Sequence, residues 1–392
     1  MPATLTAEQT AHRLGIKPAT LYAYVSRGML RRERTPAGSL FDPLEVEEFA
    51  ARRRRGASPD TVHAAGSPLT MIDTDVAVVL DDELFLRGRN AARLAATSTL
   101  QDVARELWGA SAPWPAADAD DRAAVRRAVA ALPVGASHLD RLRTAVIVLA
   151  ARDPLRAEAS IDAVRRAGVR MLLHLPDALS ATADGDLWSA LTDRAPDDVD
   201  RRALQAALIL TVDHDLAVST MAARMAATAR GSGYAIVSAA LGAFDSPLHG
   251  TAADEARMLL RSVLDGAAPD DAIAAAVSRT GRGVPGFGHP LYAETDARAA
   301  TLLPLVAQMR GGRDVGGAVA ALTAVVEHRT GLHPNIDLAL AAFTLAAEMP
   351  TGAATAIFAL GRVVGWVAHG LAEYAEAPMR LRPRGRYVGP LP

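Results

Sequence analysis

Three histidines stand beside glycine or proline in this chain: His249, His289 and His333. His249 lies in Pro247-Leu248-His249-Gly250, and His289 directly follows Val284-Pro285-Gly286-Phe287-Gly288. Asp337 ends the run His333-Pro334-Asn335-Ile336-Asp337, and His214 follows Val212-Asp213. Histidines at turns and helix ends can point into a cleft, and dense glycine lets a ligand approach the backbone. Such imidazoles serve as metal ligands or as hydrogen-bond and proton-transfer groups. His214, His249 and His289 lie far apart in the chain and lack HExxH or H-x-H spacing, so no metal site is expected. The chain has no cysteine, which removes disulfides, thiolate zinc sites and a cysteine nucleophile together. No Walker pattern is present, which argues against ATP-driven chemistry.

The elements that must position these groups are helical. From about residue 71, alanine and leucine dominate while glycine and proline punctuate segments of 10 to 20 residues. His214, Val218, Met221, Met225 and Thr228 keep helical spacing, as do Ile357, Leu360, Val364 and Leu371. Strand-like alternation is confined to short pieces such as residues 73–85. The body therefore reads as all-α.

A length of 392 residues suits two or three domains. The net charge of −2 hides an asymmetry: residues 1–56 hold ten Lys/Arg and six Asp/Glu, while the remainder holds 32 and 38. A basic head on an acidic body suggests a separate module with an anionic partner. In that head, Thr6-Ala7-Glu8-Gln9 has the form of a capping box, Gly15 ends the helix it starts, and Pro18 suits the first position of a second helix. Leu21, Tyr24 and Val25 would face inward, Tyr22, Ser26 and Arg27 outward, with Gly28 closing the helix. A small β wing, a short helix and the run Arg52 to Arg55 follow. Two short helices joined by a tight turn form a helix-turn-helix arrangement. Through LGIKPATLYAYVSRGML and LFDPLEVEEF the head resembles the MerR/excisionase-like winged helix-turn-helix. That resemblance makes DNA a partner through residues 1–56; a protein-interaction or dimer-support role fits the same residues. Residues 57–70 read as a linker. No apolar run approaches the roughly 20 residues of a membrane span, and residues 1–15 lack a signal-type apolar core, so the expected location is cytoplasmic.

The body resembles citrate synthase from about residue 75 to 392. The resembling pieces occur in that family's order: ELFLRGRNAARLAATSTLQDVARELW, VDHDLAVSTMAARMAAT, SPLHGTA, VPGFGHPLYAETDAR, HPNIDLAL, ALGRVVGWVAHGLAE and LRPRGRYVGP. The resemblance implies condensation of acetyl-CoA with oxaloacetate, with acetyl-CoA as substrate and no resident cofactor. It makes Asp337 the base and His249 the donor to the acetyl carbonyl oxygen. His289 would polarise the ketone, while His214, Arg298 and Arg362 would hold the oxo acid. Arg382 would reach the site of a second subunit, which makes a homodimer obligatory. Val284, Pro285, Gly286, Phe287 and Gly288 would form the loop contacting coenzyme A. The implied architecture has a large domain of residues 71–250 and 350–392, and a small domain of residues 251–349.

Each residue alone also fits a structural role. Asp337 could cap a helix over 338–347, and Arg362 could be a packed, snorkelling side chain between Phe358 and Trp366. The sequence also departs from the family pattern at Thr211, Ala217, Thr251, Ala253 and Ala293. Ala293 stands where a basic residue would pair with a coenzyme-A phosphate. Propionyl-CoA is an alternative substrate, and a DNA-binding metabolite sensor is an alternative of another class.

Overall fold

A computed structural model describes residues 4–36, 38–55, 72–110, 113–180, 186–382 and 386–389. The expected linker, the side chains of Arg54 and Arg55, and residues 383–385 lie outside the described residues.

The head is built as β1 (Leu5–Thr6), α1 (Ala7–Leu14), α2 (Pro18–Ser26), β2 (Glu33–Thr35), β3 (Gly38–Phe41) and α3 (Pro43–Arg55). Thr6 and Gln9 form the reciprocal capping box that starts α1, and Gly15 ends it in left-handed backbone at φ 62°. The antiparallel sheet runs β1-β3-β2, pairing Leu5 with Phe41 and Glu33 with Leu40. Leu5, Leu14, Leu21, Leu30, Phe41, Val46 and Phe49 are buried, so the head has an apolar centre.

The body opens with an antiparallel sheet of β4 (Ala77–Leu80), β5 (Glu83–Leu86) and β6 (Arg89–Asn90). Helices follow: α4 (Ala91–Thr97), α5 (Leu100–Trp108), α6 (Ala119–Ala130), α7 (His138–Arg152), α8 (Ile161–His174), α9 (Leu187–Leu191), α10 (Asp198–Leu210) and α11 (Val218–Thr228). The remainder are α12 (Gly233–Phe244), α13 (Ala252–Leu264), α14 (Pro269–Thr280), α15 (Ala297–Gln308), α16 (Gly312–Thr330), α17 (Ile336–Ala346) and α18 (Ala353–Ala375). The fold is mostly helical, as the periodicity required. The helix expected to include His214 instead begins at Val218, because Asp215 takes left-handed backbone at φ 58° and leaves His214 in a turn.

Helix α18 is the central post. It is long and apolar enough to cross a membrane, yet that window is wholly buried by α5, α7, α8, α10, α11 and α12. Two glycines let the end of α10 press on it. A Cβ at Gly361 would fall 2.3 Å from Thr211 Oγ1, and one at Gly365 would fall 2.1 Å from the Val212 carbonyl oxygen. The contact holds residues 211–214 against the middle of α18, beside Arg362. Beyond this post, α17 packs on α13, α15 and α16.

The head leans on that second group of helices. Helix α3 lies against α14 and α16, where Arg329 bridges Glu48 at 2.8 Å and Asp270 at 2.7 Å. An ion pair of Arg13 with the buried Glu47 sits over Gly283, next to the 284–288 loop.

The substitution Gly365→Ala should destabilise the protein by about 1–3 kcal/mol through overpacking. Gly317→Ala, on α16 with nothing within 4 Å of the added methyl, should stabilise it by about 0.5–1 kcal/mol. Urea unfolding of both variants reads the contrast directly.

Candidate active site

The segment carrying His289 and the helix carrying Asp337 are laced together through the backbone. Gly288 N–H donates to the His333 carbonyl at 2.8 Å, and Asn335 N–H donates to the Gly286 carbonyl at 2.9 Å. The Asn335 amide then works in both directions. Its Nδ2 donates to the Gly288 carbonyl at 2.9 Å, while its Oδ1 accepts from Asp337 N at 3.0 Å and so caps α17. Asp337 therefore sits in the first turn, and the cap is Asn335. Gly286 and Gly288 are both left-handed, at φ 81° and 74°. Val284 and Phe287 turn their side chains into the core, so the loop presents backbone to any ligand.

A second knot fixes Arg298 in the first turn of α15. Asp296 accepts from Arg298 Nε at 2.9 Å and Nη2 at 2.8 Å, and from Ile336 N at 3.0 Å, joining the starts of α15 and α17. Both ion-pair partners are almost fully buried. Burial works against the guanidinium charge, but the Asp296 carboxylate outweighs it and holds the Arg298 pKa above its ordinary value.

Three of the expected histidines converge on this region. The His289 ring stands 4.5 Å from the His214 ring, nearly perpendicular, and His214 stacks on Tyr292 at 5.2 Å. His289 Nδ1 accepts from Leu291 N at 3.2 Å, so a neutral ring carries its proton on Nε2. Burial, with Arg298 nearby, lowers the His289 pKa to about 4. His249 is held differently. Ser219 Oγ accepts from Trp366 Nε1 at 3.1 Å and lies 2.6 Å from His249 Nε2; when the Ser219 hydroxyl gives its proton to that nitrogen, the ring proton stands on Nδ1. Burial and then Arg362 lower the His249 pKa to about 3. The turn is tight because Gly250 folds back on Phe244, whose ring a Cβ would meet at 2.3 Å. His214 is also held well below its ordinary pKa, by burial and by Arg298. At neutral pH all three rings are uncharged hydrogen-bonding groups.

Arg362 donates from Nε to the Thr211 carbonyl at 2.9 Å and lies over the Phe358 ring at 5.0 Å. Burial lowers its pKa to about 10, which still leaves it charged. Behind it runs a buried polar chain. Asp213 lies 3.7 Å from Arg362 Nη1 and accepts from His369 Nε2 at 2.8 Å; His369 Nδ1 accepts from Arg224 at 3.3 Å. Arg224 pairs with Glu373, which also holds Arg380 bidentately at 2.8 Å.

Five buried polar atoms in this cluster have no hydrogen-bond partner among the described residues: Asp213 Oδ1, His214 Nε2, Tyr292 OH, Asp337 Oδ1 and Arg362 Nη1. Buried polar groups are nearly always satisfied, so such a cluster marks a place for a polar ligand. Burial raises the Asp337 pKa to about 6, against a smaller opposite pull from Arg298. The arrangement combines a carboxylate of raised basicity, two neutral imidazoles and two fixed cations. Chemically, it can abstract a weakly acidic proton while stabilising negative charge on oxygen.

His214, His249, His289, Arg298, Asp337 and Arg362 are thus gathered, with the 284–288 loop beside them. Arg382 is not: it lies exposed on the segment after α18. Ser219, Asn335, Asp296, Asp213 and His369 went unrecognised in the sequence. Asp296 had a usable signal, a carboxylate two residues before a buried arginine at a helix start. His369 had another, lying two helical turns after Arg362 on the same face.

Comparison with known proteins gives the family and the fold. The model of the citrate synthase C-terminal domain matches residues 60–384, and the chain belongs to the citrate synthase family. A citrate synthase of Saccharolobus solfataricus is 35% identical over 55% of this chain and 59% of its own length. A 2-methylcitrate synthase of Mycobacterium tuberculosis is 28% identical over 79% of this chain and 85% of its own length. The fold matches the citrate synthase of Thermoplasma acidophilum, solved as a ternary complex with carboxymethyl coenzyme A and oxaloacetate. That match has a TM-score of 0.69 at 21% identity and covers 83% of this chain and 95% of that one. The family match begins at residue 60, so it leaves the head outside.

The raised pKa of Asp337 has a consequence for stability. Its proton is bound more tightly folded than unfolded, so the group costs nothing below pH 4 and an increasing amount as pH rises through 6. A shift of about two units corresponds to about 3 kcal/mol at most. Asp337→Asn should therefore raise Tm at pH 8, with the gain vanishing near pH 4. Thermal unfolding at the two pH values checks the sign.

Proposed function

We propose that this protein condenses acetyl-CoA with oxaloacetate and hydrolyses the resulting citryl thioester to citrate and free coenzyme A, acting in the cytoplasm without a resident cofactor. The observation that carries the reading is the buried, unpaired Oδ1 of Asp337, whose pKa is raised to about 6, beside two neutral imidazoles. Asp337 takes a proton from the thioester methyl group while His249 Nδ1–H donates to the carbonyl oxygen of the forming enol. His289 Nε2–H donates to the ketone of the oxo acid and leaves its carbon open to attack. Arg298, Arg362 and His214 hold the carboxylates, and Arg382 of the partner subunit completes their binding in a homodimer. Residues 284–288 meet coenzyme A through backbone groups. The cleft lies between residues 71–250 with 350–392 and residues 251–349, and its closure excludes water.

Both kinds of named relative support this chemistry, and one methylene separates their acyl groups. Such a difference is worth only about 1–3 kcal/mol, so propionyl-CoA and a 2-methylcitrate product stand beside acetyl-CoA.

The test is thiol release from acetyl-CoA and oxaloacetate by purified protein, repeated with propionyl-CoA. Asp337→Ala should lower kcat about 100- to 10,000-fold, the range of a lost general base. With the base limiting, kcat/KM should fall below about pH 6 as Asp337 protonates. No thiol release with either acyl-CoA, from folded dimeric protein, would overturn the reading in favour of a metabolite sensor.

A second reading, nucleic-acid contact by the head, is favoured by the exposed face of α2, where Tyr22, Ser26 and the C-cap Arg27 all reach solvent. Duplex DNA binding should weaken steeply with salt, and Arg27→Ala should lower affinity without altering thiol release. Binding unchanged in Arg27→Ala, or absent at low salt, would exclude this face.

A further inference from the structure

The tip of the β4–β5 hairpin reaches across to the segment that follows His289. Asp81 and Asp82 both take left-handed backbone there, at φ 49° and 59°, a conformation that few residues other than glycine, asparagine and aspartate adopt. The turn delivers the Asp82 carboxylate to three successive amides. It accepts from Ala293 N at 2.6 Å, Glu294 N at 2.8 Å and Thr295 N at 3.1 Å. Successive amides converging on one point form a nest for an anion, and here the anion is a side chain from a distant part of the sequence.

The position of this nest matters. On one side lie His289 and Tyr292, which contact each other and the His214 ring. On the other lies Asp296, which holds Arg298 and the start of α17. The Ala293 methyl group cannot anchor the segment itself, and these three hydrogen bonds are the ones its amides make. The hairpin is itself held: Leu84 and Leu86 are buried, and β5 packs on α4 and α15.

We infer that Asp82 is a positioning residue for the active site, holding residues 293–295 so that His289 and Arg298 stand in fixed register with His214. The carboxylate is well suited to this. Burial disfavours its charge, but the three amides outweigh burial and keep it below the usual carboxylate range. The activity arm of the test rests on the proposed condensation; the structural arm does not.

The test uses the full chain with Asp82→Ala, Asp82→Asn and, as a control at the neighbouring tip position, Asp81→Asn. Hydrogen exchange of peptides spanning 290–296 should quicken at least tenfold in Asp82→Ala and stay unchanged in Asp81→Asn. Thiol release should show kcat reduced about 10- to 100-fold in Asp82→Ala, the scale of a small misplacement, with the acyl-CoA KM within twofold. Asp82→Asn, which keeps one acceptor oxygen, should recover part of the loss. In a His289→Ala background, Asp82→Ala should add little, because its effect passes through the histidine. Unchanged exchange in Asp82→Ala overturns the inference whether or not the enzyme turns over. Full additivity with His289→Ala overturns the route through that side chain. Wild-type protein without thiol release would count against the proposed reaction alone.

Discussion

The Asn335 side chain is the interaction on which the site's geometry turns. One amide donates to the loop that ends in His289 and accepts from the first turn of the helix that carries Asp337. A donor and a base that lie far apart in sequence are thereby set in one frame, and Asp296 extends the frame to Arg298 through its bond to Ile336 N. Three groups from three elements share a reference that no individual helix could supply. The glycines at 286 and 288 follow from this demand, since only a backbone free to turn left-handed there can run alongside residues 333–335.

Electrostatics then sort the titratable groups by kind. Burial pushes every one of them toward its uncharged form, which means opposite directions for acids and bases. The histidines fall to about 3 and 4, and the adjacent guanidinium charges add to that fall. Asp337 rises to about 6 by the same cause, with Arg298 moderating the rise. The arginines keep their charge because each has a carboxylate behind it: Asp296 for Arg298, Asp213 for Arg362. Neutral imidazoles, a near-neutral base and fixed cations thus follow from one buried environment with two carboxylates buried behind the cations.

The helical class and the capping box of the head were legible from local signatures, while the resemblance to citrate synthase singled out seven residues, of which the fold gathers six. Gly-Phe-Gly-His and His-Pro-Asn-Ile-Asp announce turns that lead into helices, and Arg362 interrupts an otherwise apolar run. What stayed hidden was pairwise. Ser219 is an ordinary small residue in α11 until Trp366 and His249 are placed on either side of it. Asp82 looks like a turn residue in a hairpin, and its partners are backbone amides, which carry no side-chain identity to read. His214 was assigned to a helix by spacing alone; the left-handed Asp215 that excludes it is visible only in the backbone. Arg382 lies exposed two residues beyond Arg380, whose bond to Glu373 anchors the segment behind the cluster rather than in it.

The central placement of α18 also governs how the chain can reach its fold. More than three hundred residues are synthesised before this helix, yet α5, α8, α10, α11 and α12 all close around it. The Trp108 indole, for example, donates to the Val364 carbonyl across 256 positions of sequence. Until α18 emerges, those helices surround an unfilled apolar groove, and α18 itself is a membrane-length apolar segment in search of cover. Such distant pairings make folding slow and leave sticky surface exposed during synthesis. The same helix that gives the finished protein its rigid axis makes the unfinished one a natural client for chaperones.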